Sequence, residues 1–292
     1  MSIRHLRTLI AVADESTFSA AASIVHVTHA AVSQQMRTLE MDLSIALFNR
    51  TTRTPQLTPV GLEVVRKARR LIRDYDNLAA SVLTDVGLSG VITLGALRTS
   101  LTGLTPQAMA KLKAKFPNLG LHIKPGLTGA LLIDIERGNL DAAIVTKPHL
   151  MPVDILFREL AQEPMQLITA VEETENDPIV LLNTRPFIRF NRKAEQGALI
   201  DNWLLSKRIR VSEAMELDSP EAIASMVHAN LGISIVPDLT VKSLDKIPVK
   251  RLSLGLGAPT RSLCLAYHKD QIKTRFIDEV FLALANVIKE AK

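Results

Sequence analysis

Two short segments with helical periodicity constrain the fold of this chain more than any other stretch. In the first segment Phe18, Ala21, Ala22 and Val25 recur at helical spacing, and the small alanines allow a second helix to cross closely. Thr28 stands where its hydroxyl could cap that second helix. The pattern predicts two helices joined by a tight turn.

The second helix is predicted to bury one face and to expose the other. Val32, Met36, Leu39 and Leu43 fall on one face, which should pack inward. Small polar side chains at the start of an exposed helix suit the major groove of DNA, where hydroxyls and amides can bond base edges. For an isolated helix, an ordinary solvated surface is the alternative. The candidate DNA-contacting residues of this helix are Thr28, His29, Ala30, Ser33, Gln34 and Arg37.

The loop after the second helix favours the DNA-binding interpretation. Leu47, Phe48 and Leu57 anchor its two ends, and Arg50 and Arg53 stand in the polar part between them. Arginines on such a loop can reach DNA phosphates or the minor groove. The two helices and the basic loop together predict a winged helix-turn-helix.

These residues resemble the DNA-binding region of LysR-type transcriptional regulators. The resemblance runs without a gap from about Ile3 to Gly61 and implies a DNA-binding regulator. Ser16 and Ser44 stand where the family often has glycine, and His29 stands where glutamine is frequent, so the DNA site of relatives should not be assumed for this chain. The shared motifs are Leu-x-x-Leu-Ile-x-Val-Ala, Thr-Phe-Ser-Ala-Ala-Ala, Val-Thr-x-x-Ala-Val-Ser-Gln-Gln-Met-x-x-Leu-Glu, Leu-Phe-x-Arg and Leu-Thr-Pro-x-Gly.

A long helix is predicted to follow the winged segment. Thr58 supplies a capping hydroxyl and Pro59 a first-turn proline, and the helix should reach about Asp85. Such a helix would span roughly 40 Å, which is too long to bury against a small winged domain alone. Apolar residues at seven-residue spacing predict that two copies pair here, with packing along the chain's own C-terminal domain as the alternative. The two rows are Val65, Ile72 and Ala79, and Ala68, Tyr75 and Val82.

Strands and helices alternate after the glycine-containing segment 87–90, which predicts an open, mostly parallel sheet. A second block of the same kind follows, and strands crossing near Ala161 and Leu265 would join two α/β lobes with a cleft between them. The segments Gly138-Asn-Leu-Asp-Ala-Ala-Ile and Leu231-Gly-Ile-Ser-Ile-Val-Pro resemble the effector-binding domain of LysR-type regulators, itself similar to periplasmic binding proteins.

The predicted fold class is an α+β multidomain protein with a winged helix-turn-helix, a long linker helix and a bilobed α/β domain. The predicted limits are 1–58 for the winged domain, 59–88 for the linker or dimerisation helix and 89–292 for the effector-binding domain, with lobe I at 91–161 and 266–292 and lobe II at 162–265.

Ligands of open parallel sheets bind beyond the carboxyl ends of the strands, beside helix N-termini. The loops at those positions contain hydroxyls and two arginines, a set suited to a small organic anion. Helix capping is the alternative role of each serine and threonine, and solvation that of each arginine. The candidate effector-binding residues are Arg98, Thr99, Ser100, Thr102, Thr128, Thr146, Asn191 and Arg192.

Several classes of chemistry find no support in the sequence. The single cysteine, Cys264, excludes an intrachain disulfide, and no phosphate-binding glycine loop, HExxH helix or nucleophile elbow occurs. His26 and His29 have no evident third partner, so we expect neither a metal nor a cofactor. The net charge of +5 is compatible with nucleic acid. No signal peptide and no membrane-spanning run of about 20 apolar residues is evident, so we expect a cytoplasmic protein.

The sequence therefore predicts a homodimeric or homotetrameric transcriptional regulator. Its expected partners are double-stranded DNA, a small-molecule effector and RNA polymerase at the promoter. One alternative is a metabolite-binding module or enzyme whose N-terminal helices serve only to dimerise it. The other is an architectural protein that binds DNA without sequence preference.

Overall fold

The computed structural model describes residues 2–49, 56–76, 90–242, 247–271 and 273–291. The chain divides into two compact units, residues 1–90 with 136–139, and residues 91–135 with 140–292.

The first unit combines helices with a short antiparallel strand pair. Phe48 stands opposite Leu57 and Asn49 opposite Gln56, which gives the wing predicted from the sequence. Its described elements are α1 (Ile3–Glu15), α2 (Phe18–Ile24), α3 (His29–Leu43), β1 (Phe48–Asn49), β2 (Gln56–Leu57) and α4 (Pro59–Asp76).

The two faces of α3 follow from its apolar spacing. Val32, Met36 and Leu39 are buried in the core of the first unit, and Leu43 packs at its edge. The Thr28 hydroxyl accepts a hydrogen bond from the Ala31 amide at 3.2 Å, which confirms the predicted cap. The buried row therefore fixes which side chains of α3 face outward.

The start of α4 depends on a close backbone approach. The Gly61 amide donates to the Thr58 hydroxyl at 2.9 Å, as expected for a cap. A β-carbon on residue 61 would lie 2.3 Å from the Leu47 carbonyl oxygen. The glycine of the Leu-Thr-Pro-x-Gly motif is thus required because α4 begins against the segment that leads into the wing.

The predicted pairing seam of α4 is wrong for three of its residues. Val65, Ala68 and Ile72 are buried in the core of the first unit, together with residues of α1 such as Leu9 and Val12. Their spacing reports an apolar helix face correctly, but the chain's own winged domain covers that face. Tyr75 is exposed. Ala79 and Val82 lie outside the described residues.

The second unit contains most of the strands. Its described elements are β3 (Gly90–Ala96), a 3₁₀ turn (Arg98–Ser100), α5 (Leu104–Lys115), β4 (Leu119–Pro125), α6 (Thr128–Glu136), β5 (Ala142–Thr146), β6 (Ile155–Thr169), α7 (Pro178–Thr184), β7 (Pro186–Phe190), α8 (Glu195–Ser206), β8 (Ser212–Leu217), α9 (Pro220–His228), β9 (Ser234–Pro237), β10 (Lys250–Ser253), β11 (Thr260–His268) and α10 (Thr274–Glu290).

Strands β6 and β11 join the two lobes. Among the described strands one sheet has the order β10-β6-β11-β5-β3-β4, and β9 also pairs with β6. The first part of β6 pairs antiparallel with β11, from Ile155 opposite His268 to Pro164 opposite Thr260. Its last residues pair with β9 and β10 instead. The two crossing strands are confirmed.

The expectation of a mostly parallel sheet needs correction. β3 and β5 are parallel, as are β7 and β8 in lobe II. β11, however, is antiparallel to both of its neighbours, β5 and β6. The returning strand must run opposite to the outgoing one, so a sheet that crosses between two lobes becomes mixed.

We expect His26→Gly to stabilise the helix-turn-helix, because His26 stands in the turn between α2 and α3 with a φ of 54°. A non-glycine residue in this left-handed conformation costs about 1–2 kcal/mol, part of which glycine recovers. Hydrogen exchange of α2 and α3 amides in the full chain should report an opening free energy raised by about 1 kcal/mol.

A matched control is Ser23→Gly, within α2, where glycine should lower the opening free energy by about 0.5–1 kcal/mol. Equal effects of the two substitutions, in sign and size, would contradict this explanation.

Candidate functional site

The outer face of α3 presents the predicted readers together. Thr28, His29, Ala30, Gln34 and Arg37 are exposed in the first unit, and Ser33 is partly exposed. All six lie on the cap or the first turns of one helix, opposite the buried row. The structure thus brings this set of predicted residues onto one accessible surface.

Aromatic contacts link this face to the wing. The ring of Phe18, in α2, lies 6.0 Å from the His29 ring between centroids. The same Phe18 ring meets Phe48 of β1 edge to face at 5.3 Å. The orientation of His29 is therefore tied to the position of the strand on which the wing is built.

The base of the wing is also fixed by a carboxylate. Glu40, near the end of α3, accepts hydrogen bonds from the amides of Leu47 at 2.8 Å and Phe48 at 3.1 Å. Arg50 and Arg53 lie outside the described residues. Their anchoring strands are described, and these hold the two ends of the arginine loop against α3 and α4.

The second unit contains a cavity of about 340 Å³ between residues of the two lobes. Its volume lies at the lower end of the range of small-molecule pockets. Thr99 and Thr102 are the predicted effector residues in its wall. The wall as a whole comprises Thr99, Thr102, Ile168, Phe190, Gln196, Pro220, Glu221, Ala224, Val236, Pro237, Asp238, Leu239, Lys242, Ile247 and Arg251.

A smaller cavity of about 30 Å³ adjoins it, because Thr99, Phe190 and Gln196 line both. Four predicted residues are brought together here, namely Arg98, Thr99, Thr128 and Thr146. The Thr128 hydroxyl also accepts a hydrogen bond from the Thr146 amide at 3.2 Å, so this threonine links two loops as well as lining a cavity.

Three predicted residues lie elsewhere. Ser100 lines neither of these cavities, and its buried hydroxyl donates to the Leu97 carbonyl at 2.8 Å. Asn191 accepts from the Lys193 amide at 2.8 Å and shapes the turn before α8. Arg192 pairs with Glu213 at 2.6 Å and Glu216 at 3.3 Å on the exposed surface. The structure gives each of the three a structural contact.

The sequence interpretation missed Arg261, the central polar residue of this region. Its side chain is 1% exposed, and its guanidinium pairs with the Glu163 carboxylate at 2.6 Å. Arg261 Nη1 also donates to Thr99 Oγ1 at 3.0 Å and to Gln196 Oε1 at 3.2 Å. An arginine at the start of the apolar strand 260–268 was the available signal.

The charge of this buried pair is internally balanced. Burial lowers the pKa of Arg261, and the neighbouring Glu163 carboxylate acts in the opposite direction. The second Glu163 oxygen accepts from the Thr240 amide at 2.8 Å, so both carboxylate oxygens are engaged. Two crossing strands and two loops therefore meet at one ion pair.

Cys264 lies in β11 and is buried. Burial raises the pKa of its thiol, which keeps it protonated and poorly nucleophilic near neutral pH. Among the described residues, no group of three or more His, Cys, Asp or Glu side chains is arranged to hold a metal ion. No described helix is both long and apolar enough to cross a membrane.

Comparison with protein families matches both units. Residues 3–62 match the bacterial regulatory helix-turn-helix protein family of the lysR type. Residues 86–287, most of the chain, match the LysR substrate binding domain.

Curated relatives of similar length are regulators. The HTH-type transcriptional regulator CzcR of Bacillus cereus is 27% identical over 246 residues, which cover 84% of this chain and 83% of that protein. The hydrogen peroxide-inducible genes activator of Haemophilus influenzae is 27% identical over 300 aligned positions, which cover 99% of this chain and 98% of that protein.

Solved structures show the same fold. A full-length OxyR variant from Pseudomonas aeruginosa has a TM-score of 0.72 at 23% identity, covering 97% of this chain and 94% of that one. Full-length CbnR in complex with its target DNA has a TM-score of 0.63 at 18% identity and covers both chains fully. This chain therefore belongs to the LysR family and is a DNA-binding transcriptional regulator with an effector-binding domain, not an enzyme.

Proposed function

We propose that the outer face of α3 reads base edges in the major groove while the wing grips the DNA backbone or the minor groove. The observation that supports this most strongly is the division of α3 into a buried row and an exposed polar row that begins at its capped N-terminus. In this proposal His29, Ser33, Gln34 and Arg37 contact bases. Arg50 and Arg53 supply sequence-independent contacts.

Two copies of the chain bind one DNA site in this proposal, as a homodimer or homotetramer. Because Val65, Ala68 and Ile72 are buried within the first unit, the partner contacts the other side of α4. That side has Leu71 at 45% exposure and Tyr75 at 54%, four residues apart and hence neighbours on the helix surface. A roughly twofold DNA site matches such a pair. The regulator acts in the cytoplasm and meets RNA polymerase at the promoter.

The effector in this proposal is a small organic anion bound between the lobes. The larger cavity has the size and the apolar walls of a ligand pocket, and Thr99, Thr102, Gln196 and Arg251 supply polar groups. Binding there shifts the arrangement of the two lobes, and no cofactor other than the effector is needed.

We expect His29→Gln to change the preferred DNA sequence. A neutral imidazole has one donor and one acceptor, whereas glutamine can make a bidentate contact with adenine. A selection of binding sites from random duplexes should return a different base at one position per half-site, worth about 1–3 kcal/mol of discrimination. His122→Gln, on exposed β4, is the matched control.

Unchanged base preference in His29→Gln would remove His29 from the reading surface. Protection spread evenly along DNA in a footprint of the wild-type chain would instead support an architectural binder.

Replacement of Arg50 and Arg53 by alanine should weaken binding to all duplexes by a similar factor. Each lost phosphate contact lowers the slope of log affinity against log salt concentration by about 0.9. Fluorescence anisotropy over a salt series should therefore show a slope reduced by about two. Arg210→Ala, an exposed arginine of lobe II, should leave the slope unchanged.

If the double variant keeps both its affinity and its salt dependence, the wing arginines do not contact DNA.

A further inference from the structure

Two hydrogen-bond donors at the meeting point of the two cavities have no acceptor. Gln196 is 4% exposed, and its Nε2 is buried without a hydrogen-bond partner among the described residues. Thr99 is 7% exposed, and no described residue accepts its hydroxyl hydrogen. Both residues line the larger and the smaller cavity. A buried donor without an acceptor costs free energy, so this pair points to a ligand atom.

Arg261 determines that both groups donate. A guanidinium has N–H donors and no acceptor, so Thr99 Oγ1 and Gln196 Oε1 must both be accepting from Arg261 Nη1. The amide orientation of Gln196 follows, since its oxygen faces the arginine and its NH₂ group is left over. The hydroxyl hydrogen of Thr99 is likewise left to point away from the guanidinium.

The first turn of α8 adds a third attraction for an acceptor. Helix α8 has twelve residues, begins at Glu195 and has no side-chain cap at its N-terminus, where Ala194 stands. Unpaired amides and the helix dipole favour negative charge at such an end. Gln196 belongs to this turn, and so the orphan amide and the helix terminus lie at the same place.

We propose that the effector presents a carboxylate whose two oxygens accept from Thr99 Oγ1 and Gln196 Nε2, with Arg261 as the positioning residue that orients both donors. This inference rests on the proposed effector site between the lobes and names the chemical class that it takes. Thr99 follows β3 in lobe I, whereas Gln196 lies on α8 in lobe II. One carboxylate would therefore bridge the two lobes directly.

The apolar part of the ligand extends into the larger cavity. Phe190 lines both cavities, and Ile168, Val236 and Leu239 line the larger one. This wall suits an aromatic or branched hydrocarbon body, for which burial of apolar surface supplies affinity. The ligand is thus an amphipathic monocarboxylate with its head at Gln196.

Other charges around the small cavity do not reverse this preference. Arg98 and Asp218 approach each other at 3.9 Å and are both exposed, so together they add little net charge. Glu195 also lines the small cavity and repels an anion, but it stands at the first position of α8 and is partly exposed. Arg261 is neutralised by Glu163, and its contribution is therefore the orientation of the donors.

Calorimetric titration of the full chain with three ligands tests the proposal. Phenylacetate, phenylacetamide and phenethylamine share a phenyl body and differ in charge and hydrogen-bonding group. Wild type should bind phenylacetate at least about tenfold more tightly than the other two. Gln196→Glu keeps the acceptor for Arg261 but removes the donor, and it should weaken phenylacetate binding about tenfold or more while shifting the preference toward the amine.

Two further variants separate donor loss from general damage. Thr99→Ser retains the hydroxyl and should bind phenylacetate like wild type, whereas Thr99→Val should lose it. Gln107→Glu makes the same chemical change at an exposed position of α5 and should change nothing. Fluorescence of the single tryptophan, Trp203, and thermal melting report whether each variant is folded.

The proposal is overturned if wild type binds the amine or the amide as tightly as phenylacetate, or does not bind phenylacetate. It is also overturned if folded Gln196→Glu retains phenylacetate affinity. DNA binding measured on the same samples separates this result from the proposed function. A chain that binds DNA and responds to a basic or neutral metabolite retains the function and loses the carboxylate, whereas a chain that binds no DNA loses the function itself.

Discussion

The buried ion pair between Arg261 and Glu163 is the interaction on which the second unit depends. Burying an isolated charge is far costlier than the stability of a typical domain, so neither residue could occupy this position alone. Removal of one partner of such a pair typically costs about 3–5 kcal/mol. Arg261 lies on β11 and Glu163 on β6, the two strands that cross between the lobes. The pair thus fixes the crossing, and Thr99 and Gln196 take their hydrogen-bonding roles from it.

Periodicity was sufficient to predict the reading helix. The row Val32, Met36 and Leu39 is buried as its spacing indicates, and the polar row opposite is then exposed by geometry alone. Periodicity was insufficient for α4, where the same logic identified a real apolar face and assigned it to the wrong neighbour. A helical pattern states that one face is covered, but the covering element depends on tertiary packing.

Arg261 could not be assigned from local sequence for a related reason. Its carboxylate partner is 98 residues away in the chain, and no spacing rule links two residues on strands that meet only in the folded sheet. The loops that provide Thr99, Thr128 and Thr146 were predictable, since each follows a recognisable strand. Asn191 and Arg192 also follow a strand, but β8 supplies Glu213 and Glu216 as partners for the arginine, and that strand was not recognised in the sequence.

The use of α4 on two sides has a consequence for assembly. Because Val65, Ala68 and Ile72 already fill the core of the winged domain, contacts with a partner must be made by other residues. Leu71 and Tyr75 can therefore be engaged or released without opening that core. A regulator whose pairing surface is separate from its folding core can change the arrangement of its subunits while each reading helix keeps its shape. Transmission of an effector signal to DNA requires this separation, because the reading face must stay intact in every state.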